Sequence, residues 1–291
     1  MSSQITTMMI EEFKSGIEIA FQQMESKLRN SVRVEPLNGK YTFFDQIGTV
    51  EAKEKTTRHA DIETVDTPHM RRRVSSRDYY VADYVDMEDL LRILQNPADE
   101  YYRTFVAALN RKLDSLIINA ALGTAYTGVD GSTTVSFDSN MTVAVDVGDS
   151  GATGLNIDKL IAAKELLDEN EVPDEDRYVV VAPKQLSNLL GTTEVTSSDY
   201  NTVKALVQGD LDTFLGFKFI KSNRLTADGN GYREVLFYQK RGLLLGMARE
   251  IGGSLDNIPQ KGHSILVQAW VSAGATRMHE AAVGKILCAE S

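Results

Sequence analysis

The sequence predicts an α+β fold, with β-rich segments toward both ends and a long helix and an α/β block between them. Three patterns carry that reading. A helical periodicity starts behind Asn96-Pro97 and persists to Leu122, strands and short helices alternate between about 146 and 247, and β-branched or aromatic runs dominate both flanks.

Along the chain, Ile5, Met8, Met9, Ile10, Phe13, Ile17, Ile19, Phe21, Met24 and Leu28 recur at helical spacing and predict an amphipathic arm over residues 5 to 30. Its polar face mixes Glu11, Glu12, Lys14, Glu25, Lys27 and Arg29, without the basic bias of a membrane-surface helix. A methionine-rich face adapts to partners, so the arm docks on another subunit, on an assembly factor or on its own chain. From Gly39 to Val85 the pattern becomes strand-like, in the pieces Tyr41-Thr-Phe-Phe, Ile47-Gly-Thr-Val and Arg73-Val-Ser-Ser-Arg-Asp-Tyr-Tyr-Val-Ala. Residues Glu51 to Arg73 are rich in charge and threonine, with isolated apolar residues such as Ile62, Val65 and Met70. Such a segment buries too little surface to offset its ordering entropy, and is expected to be a loop that is mobile or ordered by a neighbour.

Asn96 as N-cap, Pro97 at the first helical position and Asp99 and Glu100 in the first turn announce the long helix. Tyr101, Tyr102, Phe105, Val106, Leu109, Leu113, Leu116, Ile117 and Ala120 supply its apolar positions, with Gly123 as the expected C-cap. Residues 124 to 153 show a strand pattern at Met141-Thr-Val-Ala-Val and no helix. The α/β alternation follows: a helix capped by Asn156 and running through Leu167, a buried strand at Tyr178-Val-Val-Val-Ala, and a short helix from Pro183 to Leu190 ended by Gly191. A further helix is expected from Asp199 to Val207, then strands at Phe217-Lys-Phe-Ile and Val235-Leu-Phe-Tyr around the turn Ala227-Asp-Gly-Asn-Gly. The last fifty or so residues return to β structure, with His263 to Val271 and Gly284-Lys-Ile-Leu-Cys-Ala flanking a segment that contains Gly274.

At 291 residues, with 42% hydrophobic and 25% charged, the chain has enough apolar material for its own core. Its net charge of -10 argues against nucleic acid as an adhesive partner, since phosphate binding runs on clustered Lys and Arg. No apolar run reaches bilayer-spanning length, and the N-terminus lacks the pattern of a secretory signal, so a cytoplasmic protein is expected. The single cysteine, Cys288, excludes an internal disulfide framework and reads as a packed apolar residue. His59, His69, His263 and His279 are too scattered for a metal site. The run Asp168-Glu-Asn-Glu-Val-Pro-Asp-Glu-Asp lacks the acid spacing, central glycine and terminal glutamate of a calcium loop and reads as a solvated helix end. No nucleophile elbow, phosphate loop or dinucleotide fingerprint occurs, so no catalytic residue or cofactor is nominated. Arg71, Arg72 and Arg73 lie among acids at Asp61, Glu63, Asp66 and Asp78 and read as a salt-bridging interface. Reversing their charge is expected to spare the monomer fold.

The order of helical arm, charged strand-rich excursion, long helix, α/β block and returning β segment resembles the Hong Kong 97 fold of tailed-phage major capsid proteins. The most specific passage is Arg177-Tyr-Val-Val-Val-Ala-Pro-Lys-Gln-Leu, then Gly209, then Leu215-Gly216-Phe217-Lys-Phe-Ile-Lys221-Ser222-Asn223. Val267-Gln-Ala-Trp270-Val-Ser-Ala-Gly274-Ala-Thr-Arg277 is similar too. The resemblance implies an N-terminal arm over 1–38, an extended β loop within 39–85, a discontinuous peripheral domain over 86–145 and 248–291 with the long helix as its spine, and an α/β axial domain over 146–247. It implies a non-enzymatic, cofactor-free subunit that assembles with itself into pentamers and hexamers of an icosahedral shell. That shell would enclose double-stranded DNA without sequence-specific binding. Scaffolding, portal and decoration proteins would be its partners, the host bacterial cytoplasm its place of assembly, the virion its destination, and no membrane would be involved. Lys53, Lys55, Arg58, Arg71, Arg72 and Arg73 become candidates for contacts between subunits. Two other classes compete: an encapsulin-type bacterial compartment of the same fold, and a small-molecule α/β enzyme built on residues 146–247.

Overall fold

The structure, a computed structural model, describes residues 22–55, 57–58, 61–62, 64–85, 98–149, 151–191 and 213–290. The chain divides into two compact units. The smaller includes 78–111 and 250–271, the larger 26–77, 112–249 and 272–291.

In chain order the strands begin with β1 (Arg33–Pro36), β2 (Tyr41–Ile47), β3 (His69–Ser75) and β4 (Arg77–Val85). Helix α1 (Ala98–Leu122) comes next, then β5 (Ala125–Thr127), β6 (Thr133–Val135) and β7 (Thr142–Val143). The α/β block holds α2 (Ile157–Glu169), β8 (Arg177–Val181), α3 (Pro183–Gly191), β9 (Thr213–Phe214), β10 (Phe217–Lys221) and β11 (Arg233–Gln239). The chain closes with β12 (Leu243–Ile258), β13 (Ser264–Arg277) and β14 (Val283–Cys288). Among the described residues these strands form three sheets, in the orders β7-β14-β11-β8-β10-β9, β1-β12-β13-β4 and β2-β3-β5-β6.

The six-stranded sheet forms the body of the larger unit. Strand β8 carries Val179, Val180 and Val181, all fully buried, as expected of a strand covered on both faces. It pairs in parallel with β10 and antiparallel with β11, whose Val235, Leu236, Phe237 and Tyr238 are equally buried. Asn156 caps α2, its side chain accepting from the Lys159 amide at 2.8 Å, and Leu160, Ala163 and Leu167 face inward against β7 and β14. The fully buried Lys159 ammonium donates to the carbonyls of Thr153 (2.8 Å), Gly154 (3.0 Å) and Leu287 (3.0 Å), tying the loop before α2 to β14. Burial lowers its pKa, and the same burial pushes the Cys288 thiol up to about 12, so Cys288 is the packed residue expected.

In the smaller unit, Val85 and Val267 form a core with Tyr102, Phe105 and Ile265. The first turns of α1 thus pack their aromatic positions on a sheet face built by β4 and β13.

Several expectations need correction. The strand expected from Arg73 to Ala82 breaks at Ser76, and its halves join different sheets. Ile47 ends a strand, and Gly48 to Val50 do not extend it. Residues 22–28 are irregular and lead into a short 3-10 turn over Arg29–Ser31, so the arm is not helical to residue 30. Strand β14 is hydrogen-bonded between β7 and β11, a pairing the sequence did not specify. Helix α1 ends at Leu122 with Gly123 next, as expected, but Gly123 keeps a helical hydrogen bond to the Asn119 carbonyl (2.8 Å) instead of a left-handed turn; a Cβ there would lie 2.5 Å from that oxygen. Gly274 sits inside β13, where a Cβ would lie 2.1 Å from the Ser75 carbonyl oxygen, and so permits two strands of different sheets to touch. The helical arm over residues 5–21, the Asn96-Pro97 cap and the helix from Asp199 to Val207 lie outside the described residues.

Candidate functional site

The candidate surface is the antiparallel hairpin β2–β3, whose register runs from Tyr41↔Ser75 to Ile47↔His69. Gly48 donates its amide to the Pro68 carbonyl at 2.8 Å and closes the mouth of the excursion between the strands. Lys53, Lys55 and Arg58 are exposed on that excursion. Among the described residues between Ile47 and His69, none is buried.

Strand alternation sorts the arginine triplet onto two faces. Val74 and Arg72 point inward. Val74 packs with Leu37, Leu244, Met278 and Phe44. Arg72, 6% exposed, donates through Nη2 to Glu280 Oε1 at 2.7 Å and through Nε to the Met278 carbonyl at 3.1 Å, the same carbonyl that receives Gln46 Nε2 at 2.9 Å. Arg71 and Arg73 point the other way. Arg71 pairs across the strands with Asp45 at 2.6 Å and lies over the Phe43 ring at 5.4 Å. Arg73 lies between the rings of Tyr41 (4.9 Å) and Tyr126 (4.5 Å). Arg72 is therefore a buried anchor of the hairpin, and the expectation that it belongs to an exposed contact set, reversible without harm to the fold, is corrected.

Sequence reading also missed the groups that brace this region. The fully buried Arg277 donates through Nη1 to the carbonyls of Ala121 (2.7 Å) and Gly123 (2.8 Å), and through Nη2 to that of Ser136 (2.9 Å). Its Nε meets Glu280 Oε2, so a single carboxylate joins two buried arginines. Helix α1 has no basic residue in its last turn, and Arg277 supplies the missing cation at the negative end of the helix dipole. That empty last turn was the available signal. Asp114, buried on α1, accepts from Ser26 Oγ (2.6 Å) and from the amides of Lys27 and Leu28 (3.2 Å each), which fixes the chain ahead of β1.

The acidic run is partly an internal clamp. Asp168 and Asp174 hold the buried Arg177 guanidinium at 2.6 and 3.0 Å. Among the described residues no cluster of His, Cys, Asp and Glu is placed to hold a metal ion, and no helix is long and apolar enough to cross a membrane.

A β-braced α/β body bearing a long spine helix and an underburied hairpin defines the class of Hong Kong 97-type shell subunits, and solved structures agree. The capsid of Cyanophage P-SCSP1u matches with a TM-score of 0.75 at 15% identity, covering 99% of this chain and 95% of that one. The capsid of Ralstonia phage GP4 matches with a TM-score of 0.75 at 10% identity over 98% and 96%, and a structure from Mycobacterium phage Che8 with 0.70 at 15% over 96% and 97%. No protein of curated function matches by sequence. The phage capsid protein family matches residues 5–290, and the chain belongs to that family. Its role is structural: it is a major capsid protein, a component of the virion that forms the icosahedral head, and the encapsulin-type alternative is not favoured.

Proposed function

We propose that the β2–β3 hairpin and residues 48–68 are the device by which one copy grips the next in pentamers and hexamers. The observation that carries this reading is misplaced apolar surface: Ile62 is 90% exposed and Val50 53% on the excursion, with Ile47 at 71% and Met70 at 49% on the strands that frame it. Such a group asks for cover from another molecule. Lys53, Lys55, Arg58, Arg71 and Arg73 supply the polar rim of that contact, and Arg72 anchors it from beneath. The α/β body, extended by β14, serves as the axial domain around capsomer centres. Helix α1 with β12 and β13 serves as the periphery, and residues 1–38 as the arm. Scaffolding, portal and decoration proteins complete the particle, which is assembled in the bacterial host cytoplasm around DNA that is not read by sequence. The subunit carries out no chemistry of its own.

The test is Ile62→Asp in the full chain. Its thermal melt should match wild type, while negative-stain microscopy and light scattering should show shells lost or strongly reduced. Wild-type shells at wild-type yield would remove the excursion from the interface.

A further inference from the structure

A second surface of the larger unit differs in kind from the hairpin. Pairing of β1 with β12, in the register Arg33↔Leu244, brings together two basic segments far apart in sequence, Lys27 to Arg33 and Lys240-Arg241. Between them lies a cavity of about 490 Å³ lined by Arg29, Arg33, Lys240 and Arg241 against one carboxylate, Asp176. That carboxylate is already engaged by Lys218 at 2.7 Å. Arg33 pairs with Glu35 at 2.8 Å, an exposed pair that an incoming anion can replace at little cost.

The cleft is held in shape from behind. Leu28 and Val32 are buried, Ser31 Oγ is hydrogen-bonded to Tyr238 Oη at 2.5 Å, and Asp114 fixes the chain just upstream. On the opposite wall the Lys240 amide donates to the Asp176 carbonyl at 3.0 Å and the Arg241 amide to Gln239 Oε1 at 2.6 Å. With the backbone anchored on both walls, these four cations line one cleft together with Asn30.

We propose that this cleft is a phosphate-contact site for the double-stranded DNA inside the shell, touching about one or two backbone phosphates per subunit without reading bases. The proposal rests on the capsid role only for the identity of the polyanion. Two features favour a phosphodiester over an acidic protein segment. Guanidinium groups dominate, and their planar forks match phosphate oxygens. The lining holds no aromatic or long aliphatic anchor, only Val32 and Val34, whereas protein contacts concentrate their energy in such anchors. On a chain of net charge -10, a confined basic patch lets DNA be touched at fixed points while the rest of the acidic wall repels it.

Fluorescence anisotropy of a labelled DNA duplex, titrated with the full-length protein across a range of salt, tests this. Wild type should bind with affinity that falls as salt rises. Lys240→Gln with Arg241→Gln should weaken binding about tenfold and flatten the salt slope by about one. Arg29→Gln with Arg33→Gln, on the opposite wall, should do the same, and circular dichroism should show both variants folded. Light scattering reads assembly separately, so loss of DNA binding with intact shells supports the site. Unchanged duplex binding in both variants overturns it. So does capture of polyglutamate but not duplex by wild type, which would make the cleft a contact between protein subunits.

Discussion

The two ends of the larger unit's fold solve the burial problem in opposite ways. In the six-stranded body, consecutive side chains of β8 and β11 are at or near zero exposure, and even its cations are satisfied in place, Lys159 hydrogen-bonded to three carbonyls and Arg177 paired with two aspartates. In the hairpin, one face is anchored by Val74 and Arg72, and among the described residues of the excursion beyond it none is buried. The body contains the interactions needed to hold its shape. The hairpin leaves apolar surface exposed at Ile47, Val50, Ile62 and Met70, and under the role proposed above that surface is what the next copy covers.

Comparable truncations in the two regions test this contrast most sharply. Phe237 fills the centre of the body sheet, so close to β14 that a Cβ on Gly284 would lie 2.1 Å from its ring. Phe237→Ala should cost about 3–5 kcal/mol and abolish soluble expression or lower the melting temperature steeply. Ile62→Ala, on the excursion, should leave the melt unchanged. Equal effects in thermal denaturation would erase the distinction between a self-contained body and a dependent hairpin.

Within β3 itself the contrast narrows to adjacent residues. Arg72→Met removes two hydrogen bonds to the Met278–Glu280 turn and leaves Glu280 with Arg277 alone. A loss of about 2 kcal/mol is expected, below the cost of breaking an isolated buried pair because one arginine remains. Arg71→Glu, whose pair with Asp45 is 41% and 70% exposed, should shift stability by no more than about 0.5 kcal/mol. Urea unfolding of the two variants measures the difference. If both are neutral, Arg72 is not the anchor its geometry indicates.

The body was legible in sequence because each of its signals is local. Asn156 caps α2, the run Tyr178 to Ala182 is continuous and apolar, and the Ala227 to Gly231 turn separates β10 from β11. The hairpin's sidedness was not legible. Three successive arginines look alike until strand register turns Arg72 toward Glu280, 208 residues away. Strand β12 was blurred by Gly246, Gly252 and Gly253 and by the exposed charges at Arg249 and Glu250, which weaken strand periodicity even though neighbours close over the three glycines. The role of β14 depends on a sheet neighbour, and the basic cleft on two segments that meet only through β1 and β12. In each case the missing information was a long-range pairing.

Ion pairs supply the smallest and most specific comparison. Near the end of the body, Glu290 receives Arg233 in two-point fashion, Nε to Oε1 at 2.8 Å and Nη2 to Oε2 at 2.9 Å, and also Gln185 Nε2 at 3.2 Å. The Arg233 and Gln185 hydrogen bonds hold the Glu290 carboxyl at about 2, well below its ordinary 4.5. A carboxyl whose folded pKa is depressed binds its proton more tightly when unfolded. Its stabilisation is therefore complete above about pH 4.5 and is lost as pH falls through about 2. Solvent screening at this rim limits it to about 1 kcal/mol. Glu290→Gln should lower the melting temperature slightly at pH 7, and the gap from wild type should close between pH 4.5 and 2. Asp45→Asn, which breaks the single-point pair with Arg71, should show no comparable gap at pH 7. A Glu290→Gln deficit that persists unchanged at pH 2 would mean that packing, not charge, holds this end of the chain to the body.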